Sequence, residues 1–141
     1  KARRSRKIFG GALRQAGIVA AACVYALENN IERLQEDHDN ARFLADQLAS
    51  IEGISVSPEE TETNLVFFDI HPEIGNAMQL SKALHEIGVG IGAMGNTRLR
   101  ACTHLDVSRE KIAQVPAAIR EVLKSGIERY QGIATGPYAR G

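Results

Sequence analysis

Two arginines stand two positions apart in the alternating segment 97–108. In an extended strand successive side chains point to opposite faces, so Arg98 and Arg100 share one face and apolar side chains occupy the other. An arginine placed in this way either pairs with a surface carboxylate or presents its planar guanidinium to the carboxylate of a ligand. Composition favours the salt bridge, and the pattern leaves both interpretations open. The polar face is predicted to carry Arg98, Arg100, Cys102 and His104.

The sequence gives little evidence for the other common kinds of catalytic site. The sequence has no Gly-x-Ser-x-Gly motif, and neither Cys23 nor Cys102 has a histidine partner in its sequence context. The histidines form no pair at metal-ligand spacing, and His38 fits a structural role on a helix face. We therefore predict neither a metal site nor a catalytic residue within this chain.

A lysine that attacks a carbonyl group as a nucleophile requires a dry pocket. Lys82 and Lys111 fall on predicted polar helix faces, and Lys124 lies near a helix end. Lys7 is adjacent to a glycine-rich loop and to Arg14, a neighbourhood suited to binding an anion. From the residues alone, a solvated run of charge is the simpler interpretation of Lys7.

Composition restricts the class of protein. The 141 residues are 44% hydrophobic and 24% charged, which predicts one soluble domain with a hydrophobic core. Seventeen basic and 17 acidic residues give zero net charge, so we expect no nucleic-acid or membrane partner. The most apolar run, 18–27, is shorter than the roughly 20 residues that span a bilayer. Two cysteines without metal or disulfide spacing predict free thiols and a cytoplasmic protein.

The first half of the chain predicts two helices and two strands. Segment 17–27 is apolar nearly all round, which predicts a helix that is buried or packed at a subunit interface. A long amphipathic helix follows, with Asn29 as its N-cap and Gly53 as its C-terminal glycine. A short strand is predicted at 54–57. Segment 63–70 then has apolar residues at both odd and even positions, which predicts a central strand covered on both faces.

The second half predicts a helix with a capping box at Asn76 and Gln79 and an end at Gly88. A short strand at 89–91, the arginine-bearing strand and a last helix capped by Ser108 follow. In this last helix a proline predicts a kink or a late start. The element order predicts an α+β fold, a small and mostly antiparallel sheet with helices packed on one face, preceded by a long helix.

Three segments together resemble the C-terminal part of the low-specificity L-threonine aldolases, pyridoxal-phosphate enzymes of the aspartate-aminotransferase-like fold type I. They are the basic, glycine-rich run 3–17, the shorter segment 62–66 (Glu-Thr-Asn-Leu-Val), and 99–106 (Leu-Arg-Ala-Cys-Thr-His-Leu-Asp). The resemblance implies that residues 1–28 end a large domain with a glycine loop and a buried helix. Residues 29–124 would form a small C-terminal α/β sandwich, and 125–141 a loosely ordered tail.

The resemblance also implies roles for individual residues. Arg100 would bind the substrate α-carboxylate, while Lys7 and Arg14 would lie near the cofactor phosphate, reaching a neighbouring subunit's site. His104 would have a supporting role at most. The Schiff-base lysine is expected before Lys1, so pyridoxal 5'-phosphate would not be bound covalently by this chain.

The implied activity is cleavage of L-threonine or L-allo-threonine to glycine and acetaldehyde. The implied partners are an N-terminal pyridoxal-phosphate-binding domain of the same protein, further copies in a homo-oligomer, and an amino-acid substrate. Two alternatives remain: a fragment of another lyase or aminotransferase of this fold, or a non-catalytic oligomerisation domain that assembles through helix 17–27.

Overall fold

The computed structural model describes residues 1–130. The chain divides into two compact units, residues 1–34 and a second unit that begins at Gln35. The helices are α1 (Ala2–Ile8), α2 (Ala16–Asn29), α3 (Leu34–Leu48), α4 (Ala77–Glu86) and α5 (Arg109–Ser125). The strands are β1 (Ile54–Ser55), β2 (Leu65–Ile70), β3 (Gly92–Ala93) and β4 (Arg98–Cys102).

The first unit contains α1 and α2. The turn after α1 contains Gly10 at φ +78°, a backbone conformation that favours glycine. The predicted apolar helix is found as α2, but no residue of it is buried, so the expected burial is not observed in the described structure. Asn29 is the last residue of α2, where its side-chain amide donates to the Tyr25 carbonyl, and it is not the N-cap of the next helix.

The long amphipathic helix, α3, is shorter than predicted. It begins at Leu34 and ends at Leu48, several residues before Gly53. Gly53 has φ +85° and lies in the turn that leads into β1, so it does not close the helix. His38 is half-buried beside the inner face. That face consists of Asp37, Asn40, Ala41, Leu44, Ala45 and Leu48.

The sheet has the order β1-β2-β4-β3 and is antiparallel throughout. Alternation in β2 and β4 places Val66, Phe68, Leu99 and Ala101 on the buried face. The α+β prediction and the central position of β2 are confirmed. The predicted cover of β2 on both faces is not observed within residues 1–130, where Phe67 on the other face is 43% exposed.

The capping box predicted for α4 is present. Asn76 accepts a hydrogen bond from the Gln79 backbone N–H, and the Gln79 side chain accepts one from the Asn76 backbone N–H, each at 2.9 Å. Gly88 has φ +86° just after the helix, as the pattern predicted. The strand expected at 89–91 occurs slightly later, as β3, which pairs with β4.

The last helix, α5, follows Ser108 and continues through Pro116, so a late start is excluded. Ser108 occupies the N-cap position without a side-chain capping bond. Beyond α5, Ile127 is buried in the 3₁₀ turn Ile127–Arg129. The rest of the predicted loose tail, 131–141, lies outside the described residues.

Candidate functional site

The second unit has one sheet face that its own helices leave uncovered. Because side chains alternate along β2 and β4, every second residue points away from the helices. We call this surface the open face. Its members on the two central strands are Leu65, Phe67, Asp69, Arg98, Arg100 and Cys102, all exposed or half-buried. The polar side of the arginine-bearing strand therefore lies on an accessible surface, as its alternation predicted.

Arg98 is the arginine that forms a salt bridge. It lies opposite Asp69 on β2 and donates from Nη2 and Nε to Asp69 Oδ2 at 2.8 and 3.1 Å. Thr97 Oγ1 donates to the other oxygen, Oδ1, at 2.8 Å. Both oxygens of Asp69 are thereby engaged.

The pKa of Asp69 follows from these contacts. Partial burial is the largest single influence and raises this pKa, but the hydrogen bonds from Arg98 and Thr97 and the positive charge of Arg98 outweigh it. The net effect is a pKa below the usual carboxyl value. In turn, the hydrogen bond and the charge of Asp69 raise the pKa of the Arg98 guanidinium. Asp69 and Arg98 are therefore an ionised pair at neutral pH.

Arg100 has different surroundings. It lies opposite Phe67 in the β2–β4 register and is half-buried. Among residues 1–130 its guanidinium has no ion-pair or hydrogen-bond partner. The sequence left open whether this arginine forms a salt bridge or binds a ligand. The structure assigns the salt bridge to Arg98 and leaves the Arg100 guanidinium available.

Hydrogen bonds fix the end of β4 that follows Arg100. Asn64 donates from Nδ2 to the Thr103 carbonyl at 2.8 Å and lies 3.3 Å from Cys102 Sγ. The buried Thr103 hydroxyl donates to the Asp37 carbonyl of α3 at 2.6 Å. Alternation along 97–108 places Thr103 on the face opposite the arginines, but it does not reveal this contact. A hydroxyl at an inward position of an alternating strand was the available signal, since buried polar groups require partners.

His104 does not share the β4 face with Arg100, because the strand ends at Cys102. Its Nδ1 accepts from the Asp106 backbone N–H at 3.3 Å and lies 3.5 Å from Asp106 Oδ2. This imidazole forms part of a local exposed turn. The structure therefore does not bring His104 and Arg100 together on one strand.

A groove of about 340 Å³ lies on the open face, between the sheet and the 3₁₀ turn Pro58–Glu60. Phe67, the cross-strand neighbour of Arg100, is part of its wall. Its lining residues are Ser55, Val56, Ser57, Glu60, Thr61, Leu65, Phe67, Asp69 and Arg98. The groove places a concave, mixed polar and apolar surface next to Arg100, which itself lies outside the lining.

Lys7 and Arg14 belong to the first unit. Lys7 is in the last turn of α1, Arg14 is in the loop before α2, and both are exposed. The predicted role of these two residues at a cofactor phosphate stays a prediction. Cys23 and Cys102 are free, as expected, and both are exposed. Within residues 1–130 there is no cluster of metal-ligating side chains, and no helix has the length and apolar character needed to cross a bilayer.

Several known proteins are similar to this chain in sequence. The profile of the β-eliminating lyase family matches residues 1–71. The low specificity L-threonine aldolase of Escherichia coli (strain K12) is 46% identical over 123 residues, which are 87% of this chain and 35% of that protein. The probable low-specificity L-threonine aldolase 2 of Arabidopsis thaliana is 35% identical over 127 residues, 89% of this chain and 36% of that protein. The chain thus spans about a third of the length of these curated relatives.

Solved structures share the fold. A C-DES mutant with glycine covalently linked to the PLP cofactor has a TM-score of 0.60 at 19% identity and matches 75% of this chain and 28% of its own. Ornithine delta-aminotransferase of Plasmodium falciparum has a TM-score of 0.59 at 21% identity and matches 75% of this chain and 29% of its own. Both structures are fold-type I pyridoxal-phosphate enzymes, and at these identities the likeness shows a shared fold alone.

Proposed function

The chain belongs to the β-eliminating lyase family, and from that premise we propose that it is the C-terminal part of an aldolase that cleaves L-threonine or L-allo-threonine to glycine and acetaldehyde. Relatives named as low-specificity L-threonine aldolases match almost nine tenths of the chain, which supports this activity. The observation that carries the role of this chain is the guanidinium of Arg100 on the open face, which has no partner among residues 1–130.

Arg100 is proposed to bind the α-carboxylate of the amino-acid substrate. A guanidinium donates two parallel hydrogen bonds to a carboxylate, which fixes the orientation of the ligand as well as its charge. Half-burial beside Phe67 strengthens such a pair relative to one in open solvent. The fixed end of β4, held by Thr103, keeps the backbone of Arg100 in place. The role of this residue is therefore to hold and orient the substrate.

The residues of the first unit fit the phosphate of pyridoxal phosphate. Lys7 and Arg14 are two exposed cations on either side of the Gly10 turn, and a phosphate dianion is the ligand that such a pair suits. When bound, the cofactor supplies an electron sink for the carbanion left by carbon–carbon cleavage. The lysine joined to the cofactor is proposed to lie in an N-terminal domain of the same protein. No residue of this chain is assigned to proton transfer.

Assembly is proposed to use α2. Its exposed apolar side chains include Ile18, 74% exposed, and Leu27, 66% exposed. Large exposed apolar surfaces mark interaction sites, and a helix that is apolar all round suits cover by further protein on several sides. We infer a homo-oligomer. The two free thiols are compatible with the reducing conditions of the cytoplasm.

Product analysis tests the proposed reaction. The full-length protein, loaded with pyridoxal phosphate, is incubated with L-threonine and the products are identified by chromatography. The proposal predicts equal amounts of glycine and acetaldehyde. Release of ammonia with 2-oxobutanoate would instead show β-elimination, and transfer of the amino group to an oxo acid would show an aminotransferase. Either of these results, or no reaction of any kind, would contradict the proposed aldolase.

A further inference from the structure

The open face holds a carboxylate close to the proposed substrate site. Asp69 and Arg98 are directly opposite each other, while Phe67 and Arg100 form the next pair of the same face. Asp69 and Arg100 are therefore diagonal neighbours. Diagonal positions in an antiparallel pair are about 7–8 Å apart, a distance that a long side chain bridges.

This arrangement gives Asp69 two possible cationic partners. In the structure it is bound by Arg98, through two hydrogen bonds to Oδ2, and by Thr97 at Oδ1. Both oxygens of this carboxylate are therefore bound by groups other than Arg100. Glu60, at the rim of the groove, adds a further attraction for Arg98.

We propose that Arg98 is a positioning residue that keeps Arg100 free for an amino-acid carboxylate by holding Asp69 in a competing ion pair. Without Arg98, Asp69 would pair diagonally with Arg100 and would also repel an incoming carboxylate. The inference rests on the proposed function of Arg100 and extends it by naming the group that would otherwise compete with the substrate.

The first test is a steady-state comparison in the full-length protein loaded with its cofactor. Arg98→Gln is expected to raise KM for L-threonine about two- to fivefold, the factor that one partly exposed ion pair supplies, with little change in kcat. Adding Asp69→Asn to Arg98→Gln is expected to restore KM, because the competing charge is gone. Thermal unfolding of each variant is measured in parallel.

Rescue separates this role from a structural one. If the Asp69–Arg98 pair only joined β2 to β4, the double variant would remain as impaired as Arg98→Gln, and that result would overturn the inference. An unchanged KM in Arg98→Gln would overturn it as well. Arg100→Gln is assayed beside them. If KM is raised in Arg100→Gln but not in Arg98→Gln, the result contradicts the inference and still supports binding of the substrate carboxylate by Arg100. An unchanged KM in Arg100→Gln contradicts the binding of the substrate carboxylate by Arg100, and therefore also the inference about Arg98.

A second readout does not depend on turnover. The Asp69 carboxyl is titrated by carbon-13 NMR in the Arg98→Gln protein and in the Arg98→Gln/Arg100→Gln protein. If Arg100 captures Asp69, the pKa of Asp69 stays low in the first protein and rises in the second, because only the first retains a cation within reach. Equal Asp69 pKa values in the two proteins would show that Arg100 does not reach this carboxylate and would overturn the inference.

Discussion

Arg98 and Arg100 have the same side chain, lie on the same strand and point to the same face, yet their neighbours differ. Arg98 lies opposite Asp69 and Arg100 opposite Phe67. This difference is set by the register of β2 against β4, which no pattern within either strand specifies. Sequence alternation could place both arginines on one polar face, but only the cross-strand pairing shows which one has an acidic partner.

The Asp69–Arg98 pair makes stability depend on pH. The pKa of Asp69 is lower in the folded protein than its usual value of 3.8, so the pair stabilises the fold above that value and its contribution is lost as pH falls through the lower folded pKa. Asp69→Asn is expected to lower the urea midpoint of unfolding at neutral pH. Well below the folded pKa its midpoint should equal that of the unchanged protein. A difference that persists in acid would contradict the ion-pair explanation.

At the level of elements, features set by residues close in sequence were predicted better than features that depend on tertiary packing. The capping box of α4 was predictable because Asn76 and Gln79 satisfy each other's backbone within one turn. Asn29 and Glu32 have the same spacing, but the apolar run before them continues α2 through Asn29. The two-sided cover predicted for β2 is not observed in the described residues, because a run of apolar residues does not reveal what packs on each face of a strand.

The capping box gives a prediction for α4. Asn76→Ala removes the acceptor for the Gln79 backbone N–H and is expected to destabilise the protein by about 1 kcal/mol. Asn76→Asp keeps an oxygen acceptor at the same position and is the matched control, expected to retain most of the stability. Urea unfolding of the two variants measures the difference. Equal losses in both would show that the side-chain acceptor contributes nothing to α4.

At the scale of the whole molecule, two surfaces remain uncovered within the described residues: the open face of the second unit and the apolar helix α2 of the first. Both agree with a chain that spans about a third of its curated relatives. The sequence predicted that α2 needs a partner, since its residues are apolar all round. It could not identify the partner, because apolar surface carries no directional information.

The proposed assembly through α2 predicts a change of mass. Ile18→Glu places a charge on an apolar surface and is expected to shift the full-length protein to a smaller oligomer in light-scattering measurements after gel filtration. Glu28→Gln, on the same helix, is the control and should leave the mass unchanged. An unaltered oligomer in Ile18→Glu would place the subunit interface elsewhere.

The central claim is that Arg100 binds the α-carboxylate of the substrate, and a comparison of two substrates tests it most directly. The kcat/KM of the full-length protein is measured for L-threonine and for L-threonine amide, with Arg100→Gln beside a control, Arg120→Gln, whose arginine binds Ser50 away from the open face. Arg100→Gln is predicted to lower kcat/KM for L-threonine roughly 10- to 100-fold, the worth of a lost charged hydrogen bond, and to leave the amide almost unaffected. An equal loss for both substrates, or no loss for L-threonine, would contradict the assignment of Arg100 to the substrate carboxylate.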